Sequence, residues 1–113
     1  MADRLLPVLV ALGGFLGATA RYLVGTVAGG PIGTLLVNVA GSFALALAVG
    51  NVRSTRLRTL LMTGLLSSFT TYSTFAVETA SLGLELGIAN VVATYALGFA
   101  AAFLGLLVGR RWA

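Results

Sequence analysis

A run of hydroxyl side chains near the middle of the chain is the feature with the clearest chemical potential. Within residues 64–75 it reads Ser-Ser-Phe-Thr-Thr-Tyr-Ser-Thr, in a segment that is otherwise apolar. Hydroxyl side chains compete for backbone hydrogen bonds and loosen a helix. Irregular backbone at membrane depth is tolerated only where protein or a water-filled path surrounds it. The run therefore predicts a broken membrane-spanning helix whose polar groups form an ion site, which is a feature of transport.

A second polar feature lies on one face of the preceding apolar segment. Thr34, Asn38 and Ser42 are spaced by four, which places them on the same side of a helix. Asn38 lies near the middle of the predicted span, where an unsatisfied amide costs roughly 2–7 kcal/mol. The amide either forms an interhelical hydrogen bond or lines a pore and donates its NH2 group to an anion. The neighbouring hydroxyls favour the pore.

Three aromatic rings and one arginine extend this polar set. Phe69, Tyr72 and Phe75 follow one another at a spacing of three along the hydroxyl run. Ring edges are electropositive and ring faces electronegative, so such a stripe either packs in the core or lines an ion path. Arg21 lies inside the end of the first apolar segment. It either snorkels to the membrane interface or acts as a cation at a pore mouth that concentrates anions.

The composition is that of an integral membrane protein. The chain has 113 residues, of which 58% are hydrophobic and 9% charged, whereas an ordinary soluble domain has about 25% charged residues. The absence of Cys and His excludes thiolate nucleophiles, imidazole bases and the usual zinc sites. The net charge of +4 comes from arginines, mostly at segment ends, which indicates topology signalling rather than nucleic-acid binding.

Four apolar segments fill the chain and predict a single all-α integral membrane domain over residues 1–113. The predicted spans are roughly residues 5–28, 32–52, 59–82 and 88–108, with the third helix broken at mid-span. An N-terminal signal peptide is not expected, because the apolar run from Leu5 continues too far and lacks a clear small-residue cleavage site. So short a chain leaves no room for an extramembrane domain, and we expect it to oligomerise.

Arginines are distributed unevenly between the two sides of these four spans. Arg21 at most lies on one side, and the other side holds six: Arg4, Arg53, Arg56, Arg58, Arg110 and Arg111. By the positive-inside rule, the chain should insert in one orientation, as a multi-pass protein of the cell membrane with both termini in the cytoplasm.

Three segments resemble sequence elements of the Fluc (CrcB) fluoride channels. Residues 13–22 resemble the GGxxGAxxRY signature of that family, residues 33–43 its GTLxVNxxGSF element and residues 70–75 its TTFSTF motif. The three elements occur in the right order on three of the four spans. The resemblance implies an antiparallel dimer of four-helix subunits that conducts fluoride passively through two pores and exports it from the cytoplasm. It also implies a structural, non-transported Na+ at the dimer centre.

The same resemblance assigns roles to individual residues. It implies that the backbone carbonyls of Ser67 and Thr70 hold the Na+. Fluoride is tightly hydrated, so a selective path must replace its water with hydrogen-bond donors and positive ring edges. The residues expected to form that path are the amide of Asn38, the aromatic pair Tyr72 and Phe75, the pore tyrosine Tyr95, the vestibule cation Arg21, and the hydroxyls of Thr34 and Ser42.

The chain departs from the family pattern at three places. Ser67 stands where the family has Gly, and Tyr72 replaces the first Phe of the aromatic pair. The fourth span has no Ser or Thr in residues 96–109, and it carries Phe99 and Phe103 where homodimeric members often have hydroxyls. Together with the one-sided arginines, this departure predicts an antiparallel dimer with an oppositely oriented paralogous subunit that supplies the missing polar groups.

Two other functions remain open on the sequence. A small multidrug-type exchanger also has four spans and forms dimers, but it needs an ionisable carboxylate inside a span. Asp3, Glu78 and Glu85 all lie near predicted ends, and Glu78 and Glu85 are expected to be solvated and structural. A non-conducting partner subunit of a heterodimeric channel needs no pore amide, which Asn38 disfavours. An enzyme is not expected, because the chain offers no nucleophile–base pair.

Overall fold

Four long helices joined by short turns account for almost the whole chain. The computed structural model describes residues 3–112, apart from the side chain of Trp112. The helices are the first span, Leu6–Val27; the second span, Gly30–Asn51; the third span, Thr55–Ser81, which is interrupted; and the fourth span, Leu84–Trp112. All four are long and apolar enough to cross a bilayer, and residues 3–112 contain no β-strand. The all-α membrane fold with four spans is confirmed.

Three of the spans begin earlier than the hydrophobic pattern predicted, and the second does so by two residues, at Gly30 instead of residue 32. The third span begins at Thr55 instead of residue 59, because the hydroxyl of Ser54 accepts a hydrogen bond of 3.3 Å from a backbone N–H in the first turn. The fourth span begins at Leu84 instead of residue 88. It follows directly on Gly83, whose φ of 84° lets the chain reverse in a single residue.

The third span is interrupted in its middle. Thr55–Arg58 is α-helical, Thr59–Leu66 is π-helical and Ser67–Phe69 returns to the α-helix. The chain then opens at residues 70–72, which we call the break, before the helix resumes as Ser73–Ser81. The backbone of Thr70 is extended, with φ −80° and ψ 158°. The broken helix expected from the hydroxyl run is confirmed, whereas the π-helical segment before it was not predicted.

Glycines allow two pairs of spans to approach closely. A Cβ added to Gly64 of the third span would come within 2.9 Å of the Cα of Gly13 in the first span. A Cβ added to Gly109 of the fourth span would come within 3.1 Å of the carbonyl oxygen of Leu47 in the second span. Close packing is the main force between helices in lipid. Gly25 of the first span takes no part in this packing, because a Cβ added there has nothing within 4 Å.

Contacts at one end of the bundle bring the arginine-bearing segments together. Arg56, in the connection after the second span, donates from Nε to Oδ2 of Asp3 at 2.7 Å. Gly50, near the end of the second span, packs against Gly109, near the end of the fourth. The N-terminal segment, the connection between the second and third spans and the end of the fourth span therefore lie at the same end. The hydrogen bond from Arg56 also lowers the pKa of the Asp3 carboxyl below its ordinary value.

Large apolar side chains cover much of the outer surface of the bundle. Phe99 is 70% exposed and Phe103 is 62% exposed, and Phe15 and Val27 are exposed in the same way on the first span. Apolar exposure of this extent marks a surface for lipid or another protein chain. Polar groups are instead collected in cavities between the spans.

Candidate functional site

The amide of Asn38 joins the second span to the break in the third. Its Nδ2 donates to the backbone carbonyl of Thr71 at 2.8 Å, and its Oδ1 accepts from the backbone N–H of Thr71 at 2.8 Å. The interhelical hydrogen bond that was one alternative for Asn38 therefore exists. An amide NH2 group has two hydrogens, and within residues 3–112 Asn38 uses one of them. The same side chain can therefore be fixed in place and still donate to a ligand.

Two backbone carbonyls next to the break have lost their helical donors, one to Asn38 and one to the side chain of Thr71. In an α-helix, each N–H donates to the carbonyl four residues earlier. The N–H of Thr71 bonds to Asn38 and not to the carbonyl of Ser67. The N–H of Thr74 bonds to Oγ1 of Thr71 at 3.2 Å and not to the carbonyl of Thr70. Ser67 and Thr70, the two residues whose carbonyls the family resemblance implies as Na+ ligands, thus both lose their helical donor.

The side chains of these two residues bond within their own helical segment. Oγ of Ser67 donates to the carbonyl of Thr63, and Oγ1 of Thr70 donates to the carbonyl of Leu66 at 3.0 Å. Their hydroxyl hydrogens are already used in these bonds. The backbone carbonyls of both residues stay without a helical donor near the break, and the replacement of Gly by Ser at position 67 does not remove them.

A cavity of about 400 Å³ opens where the second, third and fourth spans meet, and we call it the central cavity. Thr71, Met62 and Thr94 form part of its wall. It also brings together seven of the nine site residues singled out from the sequence, namely Asn38, Ser42, Ser67, Thr70, Tyr72, Phe75 and Tyr95. The amide, the break and the aromatic pair thus face one space.

Four aromatic rings form a row beside the central cavity. The ring centroid of Phe75 lies 5.9 Å from that of Tyr72 and 6.2 Å from that of Tyr95, with an edge-to-face angle of 86° to the latter. Tyr95 lies 5.8 Å from Phe99. Phe75 is 7% exposed and Tyr72 is 73% exposed. The row therefore combines a packed ring with open ring surface, so both alternatives for the aromatic stripe have support.

The two remaining site residues, Arg21 and Thr34, lie in a separate cavity of about 500 Å³ beside the connection between the first and second spans. We call it the turn-end cavity. Thr34 is buried in its wall, and Thr71 lines this cavity as well as the central one. Thr71 therefore lies between the two cavities.

Glu78 differs from its expected solvated state. It lines the turn-end cavity with Arg21, and its Oε1 is buried and has no hydrogen-bond partner among the described residues. Thr74 and Glu78 are spaced by four on the helix that resumes at Ser73, and both line this cavity together with Thr71. No ion pair within 4.0 Å joins Arg21 and Glu78, and the pair found in residues 3–112 is Arg56–Asp3.

Three residues of these cavities escaped the sequence analysis as site residues. Thr71 contributes through its backbone, which a side-chain pattern does not reveal. Glu78 could have been found from its spacing of four to Thr74 in the hydroxyl run. Thr94 could have been found because it is the hydroxyl residue that immediately precedes Tyr95 on the fourth span.

Comparison with known proteins adds the family. Residues 8–106 match the family described as CrcB-like protein, Camphor Resistance (CrcB). The chain is 55% identical over 108 residues to "Fluoride-specific ion channel FluC 2" of Halobacterium salinarum, an alignment that covers 90% of this chain and 81% of the relative. It is 56% identical over 110 residues to "Fluoride-specific ion channel FluC 1" of Haloarcula marismortui, covering 92% and 82%. It is 42% identical over 119 residues to "Fluoride-specific ion channel FluC" of Solibacter usitatus, covering 91% and 97%. This chain belongs to the CrcB family.

Proposed function

We propose that this chain is a subunit of a fluoride-specific ion channel of the cell membrane, which lowers cytoplasmic fluoride by passive export. Its relatives carry the name of a fluoride channel, and the family is one of ion channels rather than enzymes. The observation that carries the proposal in this chain is the pair of bonds between Asn38 and Thr71. These bonds fix an amide at the wall of the central cavity and leave it one hydrogen to donate.

The central cavity offers what a dehydrating fluoride ion requires. Hydrogen-bond donors and positive ring edges must replace the water of the ion. Asn38 supplies an N–H, and Phe75, Tyr72 and Tyr95 supply ring edges. The hydroxyl of Ser42 donates to the carbonyl of Asn38 at 2.8 Å, so it supports the polar face of the helix and reaches an anion only if that bond opens.

The turn-end cavity serves as the vestibule of this path. Arg21 attracts anions to it, and the hydroxyl of Thr34 adds a polar group to its wall. Thr71, in the wall of both cavities, marks where the path would pass from the vestibule to the central cavity. Glu78 lies in the vestibule rather than beside Asn38, close to the end of the third span at Ser81. An exchanger would need its coupling carboxylate in the central cavity, beside Asn38. The position of Glu78 in the turn-end cavity therefore favours the channel.

A structural Na+ at the dimer centre completes the proposed assembly, held by the carbonyls of Ser67 and Thr70. The residues present fit the ion, because both carbonyls have lost their helical donors to other bonds and hard cations prefer oxygen ligands. Such ions take several oxygen ligands, more than these two carbonyls, so the partner subunit supplies the others. The ion contributes positive charge near the anion path and is not itself transported.

The active form is an antiparallel dimer with an oppositely oriented paralogous subunit. The contacts of Arg56 with Asp3 and of Gly50 with Gly109 support this proposal, because they gather the arginine-bearing ends on one side of the bundle. A single chain with that bias inserts in one direction, with both termini in the cytoplasm. Phe99 and Phe103 also present only rings where a polar path would continue. Relatives numbered FluC 1 and FluC 2 fit such pairs of paralogues.

Fluoride efflux from liposomes tests the proposal. The chain is reconstituted alone and together with a homologue whose arginine excess lies on the opposite side, and chloride efflux is the control for selectivity. We expect fluoride efflux without chloride efflux from the pair and little flux from the chain alone. Efflux equal to that of protein-free liposomes in both preparations contradicts the channel. Strong flux from the chain alone contradicts the need for a partner and leaves the channel standing.

A further inference from the structure

Thr94 of the fourth span has a buried hydroxyl whose hydrogen is not used. Its Oγ1 is buried and has no hydrogen-bond partner among the described residues. A threonine or serine inside a helix ordinarily bonds to the carbonyl four residues earlier. Thr59, Thr79 and Ser81 do so, at 2.7 to 2.9 Å. Thr94 lacks this bond, so its hydroxyl is available to another acceptor.

Thr94 lies where two cavities meet. Besides the central cavity, it lines a third cavity of about 390 Å³ between the second and fourth spans. The two spans run in the same direction, since Gly98 packs beside Ser42 and Gly109 beside Gly50. One turn earlier on each span, Thr94 therefore lies at the level of Asn38. Both residues line both cavities.

The other polar side chains at this level are already engaged. The hydroxyl of Ser42 bonds to the carbonyl of Asn38, and one hydrogen of the Asn38 amide bonds to Thr71. The remaining hydrogen of Asn38 and the hydroxyl of Thr94 are two uncommitted donors from opposite spans. Two neutral donors that converge on one space suit a small anion of high charge density.

We propose that Thr94 is a further anion-binding and specificity-determining residue, whose hydroxyl donates together with Asn38 to a dehydrated fluoride ion in the central cavity. This inference rests on the proposed channel function. It gives the fourth span of this chain a hydroxyl donor immediately before Tyr95, although Phe99 and Phe103 occupy the positions one and two turns later. A larger anion such as chloride accepts weaker hydrogen bonds, so the donor pair favours fluoride.

The experiment measures fluoride efflux from liposomes that contain the conducting assembly, as a function of fluoride concentration and beside chloride efflux. Thr94→Val removes the hydroxyl and keeps the side-chain shape, Thr94→Ala removes both, and Thr94→Ser restores the donor. Thr59→Val is the matched control, because it removes a hydroxyl that bonds to the carbonyl of Thr55, outside the central cavity. The elution profile of each variant in size-exclusion chromatography reports assembly.

We expect Thr94→Val and Thr94→Ala to raise the half-saturating fluoride concentration about tenfold, the factor that corresponds to one hydrogen bond to a charged group. Thr94→Ser should remain close to wild type, and Thr59→Val should be unchanged. A half-saturating concentration and selectivity equal to wild type in both Thr94→Val and Thr94→Ala overturn the role of Thr94 alone. Absence of fluoride efflux from the wild-type assembly overturns the channel, and this inference with it.

Discussion

The hydrogen bonds between Asn38 and Thr71 can be removed by a single truncation, Asn38→Ala. The change deletes two bonds of 2.8 Å and leaves the N–H and the carbonyl of Thr71 without partners. A buried polar group left unpaired costs about 1–3 kcal/mol, so the two groups together cost about 2–6 kcal/mol. Thr71 borders two cavities that water can enter, so we expect the lower part of that range, about 2–3 kcal/mol, and a reduced fluoride flux.

Asn38→Asp separates the charge of this side chain from its shape. One oxygen still accepts from the N–H of Thr71, but the other replaces Nδ2 and faces the carbonyl of Thr71, where no donor remains. The change also places a negative charge in the anion path. We therefore expect abolished fluoride flux, whereas assembly into the dimer is retained.

Two assays check these expectations, and one control variant accompanies them. Liposome efflux gives the flux, and denaturant titration in detergent gives the free energy of unfolding. Asn51→Ala is the control, because Asn51 is the exposed last residue of the second span. Full fluoride flux in Asn38→Asp would refute the assignment of Asn38 to the path. An unfolding free energy of Asn38→Ala equal to that of Asn51→Ala would refute the energetic argument.

Further predictions concern the ring, the cation, the packing and the orientation. Phe75→Ile keeps bulk but removes the ring, so fluoride flux should fall at least about tenfold. Phe15→Ile, on the exposed surface, should leave the flux unchanged. Equal flux in the two variants would make Phe75 a packing residue only. Replacing Na+ by a large organic cation should slow fluoride efflux, and Na+ movement in proportion to fluoride would contradict a structural role. Gly13→Ala should destabilise the fold by about 1–3 kcal/mol, because the added Cβ meets the backbone of the third span. Gly25→Ala is the control and should leave the stability unchanged, because its Cβ has nothing within 4 Å. The chain contains no Cys, so single cysteines at its two ends should both be labelled from the cytoplasmic side only, and labelling from both sides would exclude a single orientation.

The sequence was sufficient for the spans and the break, because both follow from local chemistry. A run of hydroxyls weakens helical bonding wherever it occurs, and the spacing of Thr34, Asn38 and Ser42 places them on one face in any helix. The π-helical segment Thr59–Leu66 was not predicted, because its apolar residues carry no signal that separates it from an α-helix. The site itself depends on which backbone groups give up a helical hydrogen bond and bond to a side chain instead.

That exchange explains why the role of Asn38 stayed undecided on the sequence. The interhelical bond and the pore amide were set out as alternatives, yet the amide has enough hydrogens for both. Glu78 was misplaced for a related reason. Its position near the end of a span suggested solvent, whereas the packing of the third span turns it into the turn-end cavity. The burial of one face is decided by the neighbouring helices, which no local pattern specifies.

The peptide unit of Thr71 has a consequence for how the proposed channel assembles. Its N–H is committed to the amide that faces the anion, and that commitment leaves the carbonyl of Ser67 free for the cation. If both proposed ions bind, their sites meet at one peptide unit, and any change that one ion makes in the affinity of the other must be returned by the same factor. In the proposed dimer, a subunit without its partner would have an incomplete cation site. Where the coupling is positive, pairing and conduction would then belong to a single equilibrium.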